Sequence, residues 1–238
     1  MRPAERASPD SLTLLDTGRI EVKGRLPWSS NGTFLVELCL DGASGLAVYK
    51  PLRGERPLWD YPSGLFRREV AAYVVSEALG WGMVPETVSR DNAPLGPGSL
   101  QRFVDADFAE HYFTLLERPE HHEALKTICT FALLINNGDR KSGPCLLGRD
   151  GLIWAIDHGL SFHADPKLRT VIWDFAGEPL PPARVDDVAR LAAEPPPGLT
   201  GLLHDDEIEA LAARAAHIAR HPVFPRIRSS RAYPWPLV

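Results

Sequence analysis

The sequence predicts an α+β chain of two lobes, an antiparallel-sheet lobe with one helix followed by a mainly helical lobe with a small hairpin set inside it. Three observations carry that expectation. Residues 12 to 51 alternate apolar and polar side chains across the turn-forming stretches "SSNG" and "DGASG", the period of two that suits strands paired in hairpins. Residues 65 to 80, "LFRREVAAYVVSEALG", change to helical spacing, with Leu65, Val70, Tyr73, Val74 and Leu79 on it and Gly80 to stop it. From about residue 107 the pattern is helical, most strongly in "PEHHEALKTICTFALLINN", which is apolar on most faces and so belongs in a core.

Taken in order, the first stretch reads as three antiparallel strands ending in "GLAVYKP". A connector rich in proline, glycine and charge, "LRGERPLWDYPSG", leads into the helix. "MVPETVSRD" and "SLQRFVDAD" then flank "NAPLGPG" as a second hairpin. In the second half the apolar helix stops at Gly138, and "PCLLG" and "GLIWAID" pair about "RDG". An apolar segment "RTVIWDFAG", a helix near 184 to 193, the proline run "EPPPG", a helix from Asp205 to Arg220 and a proline-rich basic tail follow. The lobes are set at residues 1–106 and 107–238, with a cleft between them as the expected site.

Composition narrows the function classes. A hydrophobic content of 44% sustains a core, and a net charge of −5 offers no broad positive footprint for nucleic acid or an anionic membrane. The apolar runs "FALLI" and "AAYVV" are too short to span a bilayer, so membrane insertion is not expected. Cys39, Cys129 and Cys145 form no CxxC pair, which argues against a disulfide framework or structural zinc and for a reducing cytoplasm. Eight histidines fit no zinc-ligand spacing.

Two aspartates stand out. Asp139 follows the buried helix beside Gly138, and Asp157 ends a strand beside His158 and Gly159, so the hairpin between them brings both carboxylates together. Taken alone, Asp139 would only pair with the adjacent Arg140 or cap the turn. Paired carboxylates share a proton, hold a hard cation, or divide the roles of base and metal ligand. Phosphoryl transfer uses the last arrangement. Lys50 ends the third strand and Glu69 lies on the following helix, the strand-lysine and helix-glutamate pair with which kinase-type folds hold nucleotide phosphates. Upstream, the turn in "PWSSNGTF", residues Ser29, Ser30, Asn31 and Gly32, supplies backbone amides suited to covering phosphates.

In the order "LAVYKP", "RREVAAY", "GDRK", "IDHG" and "KLRTVIWDFAG", the chain resembles the actinobacterial proteins grouped with the phosphoinositide 3-/4-kinase-like fold, a distant branch of the kinase superfamily. The resemblance runs over residues 12 to 220 and implies a two-lobed fold using ATP and Mg2+. It implies that Lys50 holds phosphates and Glu69 orients it, that Asp139 is the catalytic aspartate, and that Asp157 is the metal aspartate. It also implies that "QRFV", with Gln101, Phe103 and Val104, is the hinge that meets adenine. Kinases of that group read "GDRHxxN", whereas this chain reads "GDRKSGP", with Lys141 at the histidine position, where a cation can neutralise the transferred phosphoryl group. Pro144 stands at the asparagine that would be a second metal ligand, and His158 at the usual phenylalanine.

The expected activity is therefore phosphoryl transfer from ATP to a hydroxyl of a small molecule or protein, with lipid disfavoured for want of a basic patch or an amphipathic membrane helix. Pro144 supports a rival expectation, a catalytically weak pseudokinase that binds nucleotide as a regulatory or scaffold module. A plain interaction domain without nucleotide is the third.

Overall fold

The computed structural model describes residues 10–27, 29, 31–227 and 232–237, and its first element departs from the sequence expectation. Asp10 accepts a hydrogen bond from the Thr13 amide at 2.7 Å and caps a helix, α1 (Ser11–Thr17), where the alternation predicts a strand. The apolar and polar alternation of "SLTLLDT" is overridden by that cap and by Leu15, which the helix turns into the core at 2% exposure.

Strands β1 (Arg19–Arg25), β2 (Phe34–Leu40), β3 (Ala43–Pro51), β4 (Thr87–Arg90) and β5 (Gly98–Arg102) form one antiparallel sheet in the order β1-β2-β3-β5-β4. The β2–β3 turn is the two-residue Asp41–Gly42 loop with φ of 50° and 87°, the left-handed pair that such hairpins need and that Asp and Gly tolerate. Register decides which side chains share a face. Arg25 lies opposite Phe34, Phe34 opposite Tyr49, Tyr49 opposite Leu100, and Leu100 opposite Val88. That row belongs to the face carrying the core of Leu15, Val36, Leu38, Ala47, Tyr49 and Leu100, against which α1 packs. Lys50, one residue beyond Tyr49, sits in the next row opposite Ser99 and so projects from the other face.

Helix α2 (Leu65–Ala78) forms where the spacing predicts it. Its start is fastened by Glu55, whose carboxylate accepts the amides of Gly64 at 2.8 Å and Phe66 at 2.9 Å. The proline-rich connector is thus tied to the helix it precedes. The chain divides into two units, Met1–Val70 with Glu86–Phe103 and Ala71–Pro85 with Val104–Val238.

The second unit contains a three-stranded sheet, β6 (Ala106–Asp107), β7 (Cys145–Gly148) and β8 (Ile153–Ala155), and the helices α3 (Tyr112–Leu116), α4 (His122–Leu134), α5 (Pro182–Ala193) and α6 (Asp205–Arg220). The hairpin expected at 144–157 is β7 and β8; the two-residue β6 is an addition too short for periodicity to reveal. Leu125, Ile128, Phe131, Leu134, Phe162 and Leu211 fill the core at 2% exposure or less, each contributing roughly 1.5–3 kcal/mol by leaving water. The α+β class read from the sequence is therefore the one observed, an antiparallel-sheet lobe and a mainly helical part. Among the described residues no helix is long and apolar enough to cross a membrane.

Candidate functional site

In the first unit Lys50 Nζ donates to Glu69 Oε1. Strand alternation aims the lysine, and the capped start of α2 sets the turn of helix on which Glu69 lies. The glutamate side chain is 3% exposed and the lysine 23%, so the anion is sunk in the fold while the ammonium keeps an opening. A buried carboxylate is tolerated when paired and hydrogen-bonded. Nineteen positions apart in the sequence, the two residues meet in the structure as the strand-and-helix reading expects.

The turn before β2 is engaged with its own unit. Ser29 and Thr33 hydroxyls lie 2.7 Å apart, Asn31 Oδ1 accepts the Arg56 amide at 3.0 Å, and the Gly32 amide donates to Gly54 O at 2.8 Å. Ser30 lies outside the described residues. A Cβ on Gly32 would stand 3.0 Å from the Gly54 Cα, so the close approach of the two chain segments requires glycine. Of the expected hinge, Gln101 is buried with its Nε2 donating to Thr87 Oγ1 at 2.9 Å, and the Phe103 amide donates to Leu46 O at 3.0 Å. Val104 is buried with Ala106 and Leu146 in the second unit.

In the second unit the loop after α4 is bound on both sides. Asn136, at φ 54°, donates through Nδ2 to His163 O and Asp165 O at 2.9 and 2.7 Å and accepts the Lys167 amide. The Gly138 amide donates to Leu160 O at 2.7 Å, Asn137 Oδ1 accepts the Asp139 amide, and Arg140 forms a parallel bridge with Thr170. Asp139 is thereby presented on a backbone fixed at both neighbours. Its carboxylate accepts Lys141 Nζ at 2.6 Å, and the two side chains are 30% and 24% exposed. Burial holds the Asp139 carboxyl above its ordinary range, the Lys141 hydrogen bond and charge oppose that, and the Asp157 carboxylate pushes it further up. The two acidic groups predicted to converge are thus within electrostatic reach of each other.

Asp157 is exposed and stands at φ 61°, a left-handed backbone in which Asp and Asn are the commonest non-glycine residues. What holds it there is Arg140, which sequence adjacency suggests only as a partner for Asp139. Arg140 is 1% exposed and turned inward, donating from Nη1 to Ile156 O at 2.8 Å and to Pro144 O at 3.4 Å, and from Nη2 to His158 Nδ1 at 2.8 Å. A guanidinium only donates, so His158 Nδ1 accepts and its proton resides on Nε2, which donates to Ala155 O at 3.2 Å. The ring also meets Phe131 edge-on at 5.5 Å, so His158 packs in the interior as an aromatic side chain. Pro144 contributes its carbonyl to Arg140 and to the Ile156 amide, and Cys145 is fully buried, its thiol pushed up to about 11 by burial.

Asp139 and Asp157 supply hard carboxylate oxygens from two adjacent segments, and no group of three potential His, Cys, Asp or Glu ligands exists among the described residues. That set fits a small divalent cation held by one or two carboxylates with phosphates and water completing its shell, and does not fit a closed all-protein cage.

No family model matches the chain. It is 39% identical over 268 aligned residues to Protein Rv2133c of Mycobacterium tuberculosis (strain ATCC 25618 / H37Rv), covering 95% of both proteins. Among solved structures it is similar to the Golgi casein kinase with Mn/ADP bound, with TM-score 0.58 and 15% identity over 95% of this chain and 79% of that one. The hydra Fam20 with sugar gives 0.60 at 12% identity, covering 88% and 86%, and the Helicobacter pylori proinflammatory kinase CtkA gives 0.50 at 14%, covering 88% and 94%. At these identities the likeness shows the fold, which is kinase-like.

Proposed function

We propose that this chain, which belongs to the same family as Protein Rv2133c of Mycobacterium tuberculosis, is an ATP- and divalent-metal-dependent phosphotransferase of the atypical kinase type, acting on a hydroxyl of a small molecule or protein. The observation that carries the reading is the ion pair of Lys50 with the buried Glu69, on a strand and helix of a kinase-like fold. In the proposal Lys50 holds nucleotide phosphates and Glu69 keeps its ammonium in place. Asp139 accepts the proton of the attacking hydroxyl; a carboxyl raised by burial is the stronger base for that task. Lys141, already on Asp139, holds the carboxylate in place and supplies positive charge beside the transferred group. Asp157, with Asp139 beside it, would hold the cation. A bound Mg2+ or Mn2+ supplies neutralisation of phosphate charge. The Golgi casein kinase, which has Mn/ADP bound, lends support to nucleotide and divalent-metal use. Gln101, Phe103 and Val104 as the adenine contact, Ser29 to Gly32 as the phosphate cover, and membership of the phosphoinositide 3-/4-kinase-like branch belong to the same proposal and rest on the order of the sequence motifs.

A second reading, a nucleotide-binding module with weak or no transfer, is favoured by Pro144, which offers a carbonyl already shared by Arg140 and Ile156. Transfer of labelled γ-phosphate from ATP, with the Asp139→Asn variant beside the wild type, separates the two. The expected outcome is nucleotide affinity within about threefold and loss of transfer by about 100-fold or more in the variant. Equal turnover by both forms removes Asp139 from catalysis, and absence of transfer in the wild type with nucleotide bound selects the second reading.

A further inference from the structure

The first unit contains a cavity of about 360 Å³ whose arginines have no part in the proposed phosphotransfer, although Gly32 of the proposed phosphate cover stands in its wall. Its apolar lining is Phe34, Pro51 and Leu95, and its polar lining includes the three arginines Arg25, Arg53 and Arg56. Arg25 shares a row with Phe34 and Tyr49, and Pro51 is two residues beyond Tyr49, so the cavity opens on the sheet face opposite Lys50. Two hydrogen bonds set its wall: the Gly32 amide donates to Gly54 O, and the Arg56 amide donates to the side-chain oxygen Asn31 Oδ1, joining the β1–β2 turn to the segment after β3. Among the described residues no carboxylate lies within ion-pair distance of Arg25, Arg53 or Arg56. The nearby acid, Glu55, is turned to the amides of Gly64 and Phe66. In a protein of net charge −5 this is a concentration of positive charge without an ion-paired carboxylate among the described residues, gathered over an apolar floor.

We propose that this cavity is a binding site for a soluble phosphorylated small molecule with an apolar or aromatic body, distinct from the position assigned to the nucleotide at Lys50. Guanidinium groups match phosphate oxygens with paired donors, and each such contact is charge-assisted. Phe34, Pro51 and Leu95 take the apolar part, as in small-molecule sites that combine a greasy lining with a few convergent polar groups. The proposal does not depend on phosphotransfer by this chain.

The test is calorimetric titration of the whole protein with 1-naphthyl phosphate at low ionic strength, with inorganic phosphate and 1-naphthol as separate titrants. Wild-type protein is expected to bind the naphthyl ester more tightly than either fragment. Arg53 and Arg56 are both exposed, so the Arg53→Gln/Arg56→Gln double variant leaves the packed interior as it is. That variant is expected to weaken binding about tenfold or more. Lys50→Met and the control Arg149→Gln, on an exposed arginine of the other unit, are expected to leave it unchanged. Unaltered affinity in the double variant, loss in Lys50→Met, an equal loss in Arg149→Gln, or no binding by the wild type each overturns the assignment. Uptake of the chain by anionic vesicles in place of the soluble ester overturns it too.

Discussion

Replacing Glu69 by glutamine removes one charge from the Lys50 pair and keeps nearly the same shape. Two unit charges in contact attract by about 4 kcal/mol at an effective dielectric near 20, and stripping one partner from a fully buried pair costs about 3–5 kcal/mol. Here the glutamate side is 3% exposed but the lysine is 23% exposed. Water therefore takes up part of the ammonium's charge, and the glutamine carbonyl still accepts one of its hydrogen bonds, so the expected loss falls to about 1–2 kcal/mol. For a chain of this size that lowers the unfolding midpoint by roughly 2–8 °C. The functional loss is expected to be larger than the stability loss implies, because a lysine no longer held has many rotamers and only one of them suits a phosphate. Thermal unfolding and calorimetric titration with ATP and magnesium, run on Glu69→Gln and wild type at equal concentration, read the two effects. A variant that unfolds within about 1 °C of wild type and binds nucleotide with unchanged affinity refutes both the energetics and the role given to the pair.

Asp157→Asn is expected to leave the fold intact, since asparagine tolerates its φ of 61° equally well, while abolishing the tightening of nucleotide binding by magnesium; calorimetry with and without the metal checks this. Lys141→Met removes the main cause that holds the Asp139 carboxyl down, so that burial and Asp157, opposed only by the smaller effect of the Arg140 charge, raise it further. A base works only when ionised, so the acid limb of the rate profile is expected to move to higher pH, and an unmoved limb separates Lys141 from Asp139. The same direction has a stability consequence: a carboxyl raised by folding favours the native state at low pH and loses that contribution as pH rises through its folded value. Asp139→Asn is accordingly better tolerated at neutral than at acidic pH, as urea unfolding at the two conditions would register. Arg140→Met strands Ile156 O and His158 Nδ1 without their donor, a loss of about 3 kcal/mol; an unchanged urea midpoint contradicts the inward bracket.

The residues 139 to 141 show what is legible in the sequence and what it conceals. Asp139 and Asp157 are readable as candidates for one site because a short hairpin, 145 to 155, joins their segments. Lys50 and Glu69 are readable because strand alternation and helical spacing each fix a direction. The partner of Asp139 is not the expected one: the adjacent Arg140 is the natural candidate by proximity, yet the chain is extended there, bridged to Thr170, and successive side chains of extended backbone point to opposite sides. Asp139 and Lys141 therefore share one side, at 30% and 24% exposure, and Arg140 takes the other at 1%. Applied to these three residues, the period of two would have found the pairing from sequence. No period would have found the depth of Arg140, because a buried guanidinium is possible only where acceptors await it, and those come from Pro144, Ile156 and His158. The helix at Ser11–Thr17, the clamp of Glu55 on α2 and the gathering of Arg25, Arg53 and Arg56 escape for a related reason. Each depends on a side chain finding one particular backbone group or neighbour, and composition averages such meetings away: the three arginines vanish into a negative total. The patterns that repeat along the chain are visible beforehand, whereas the single contacts that aim Asp157 and anchor Glu69 exist only in three dimensions.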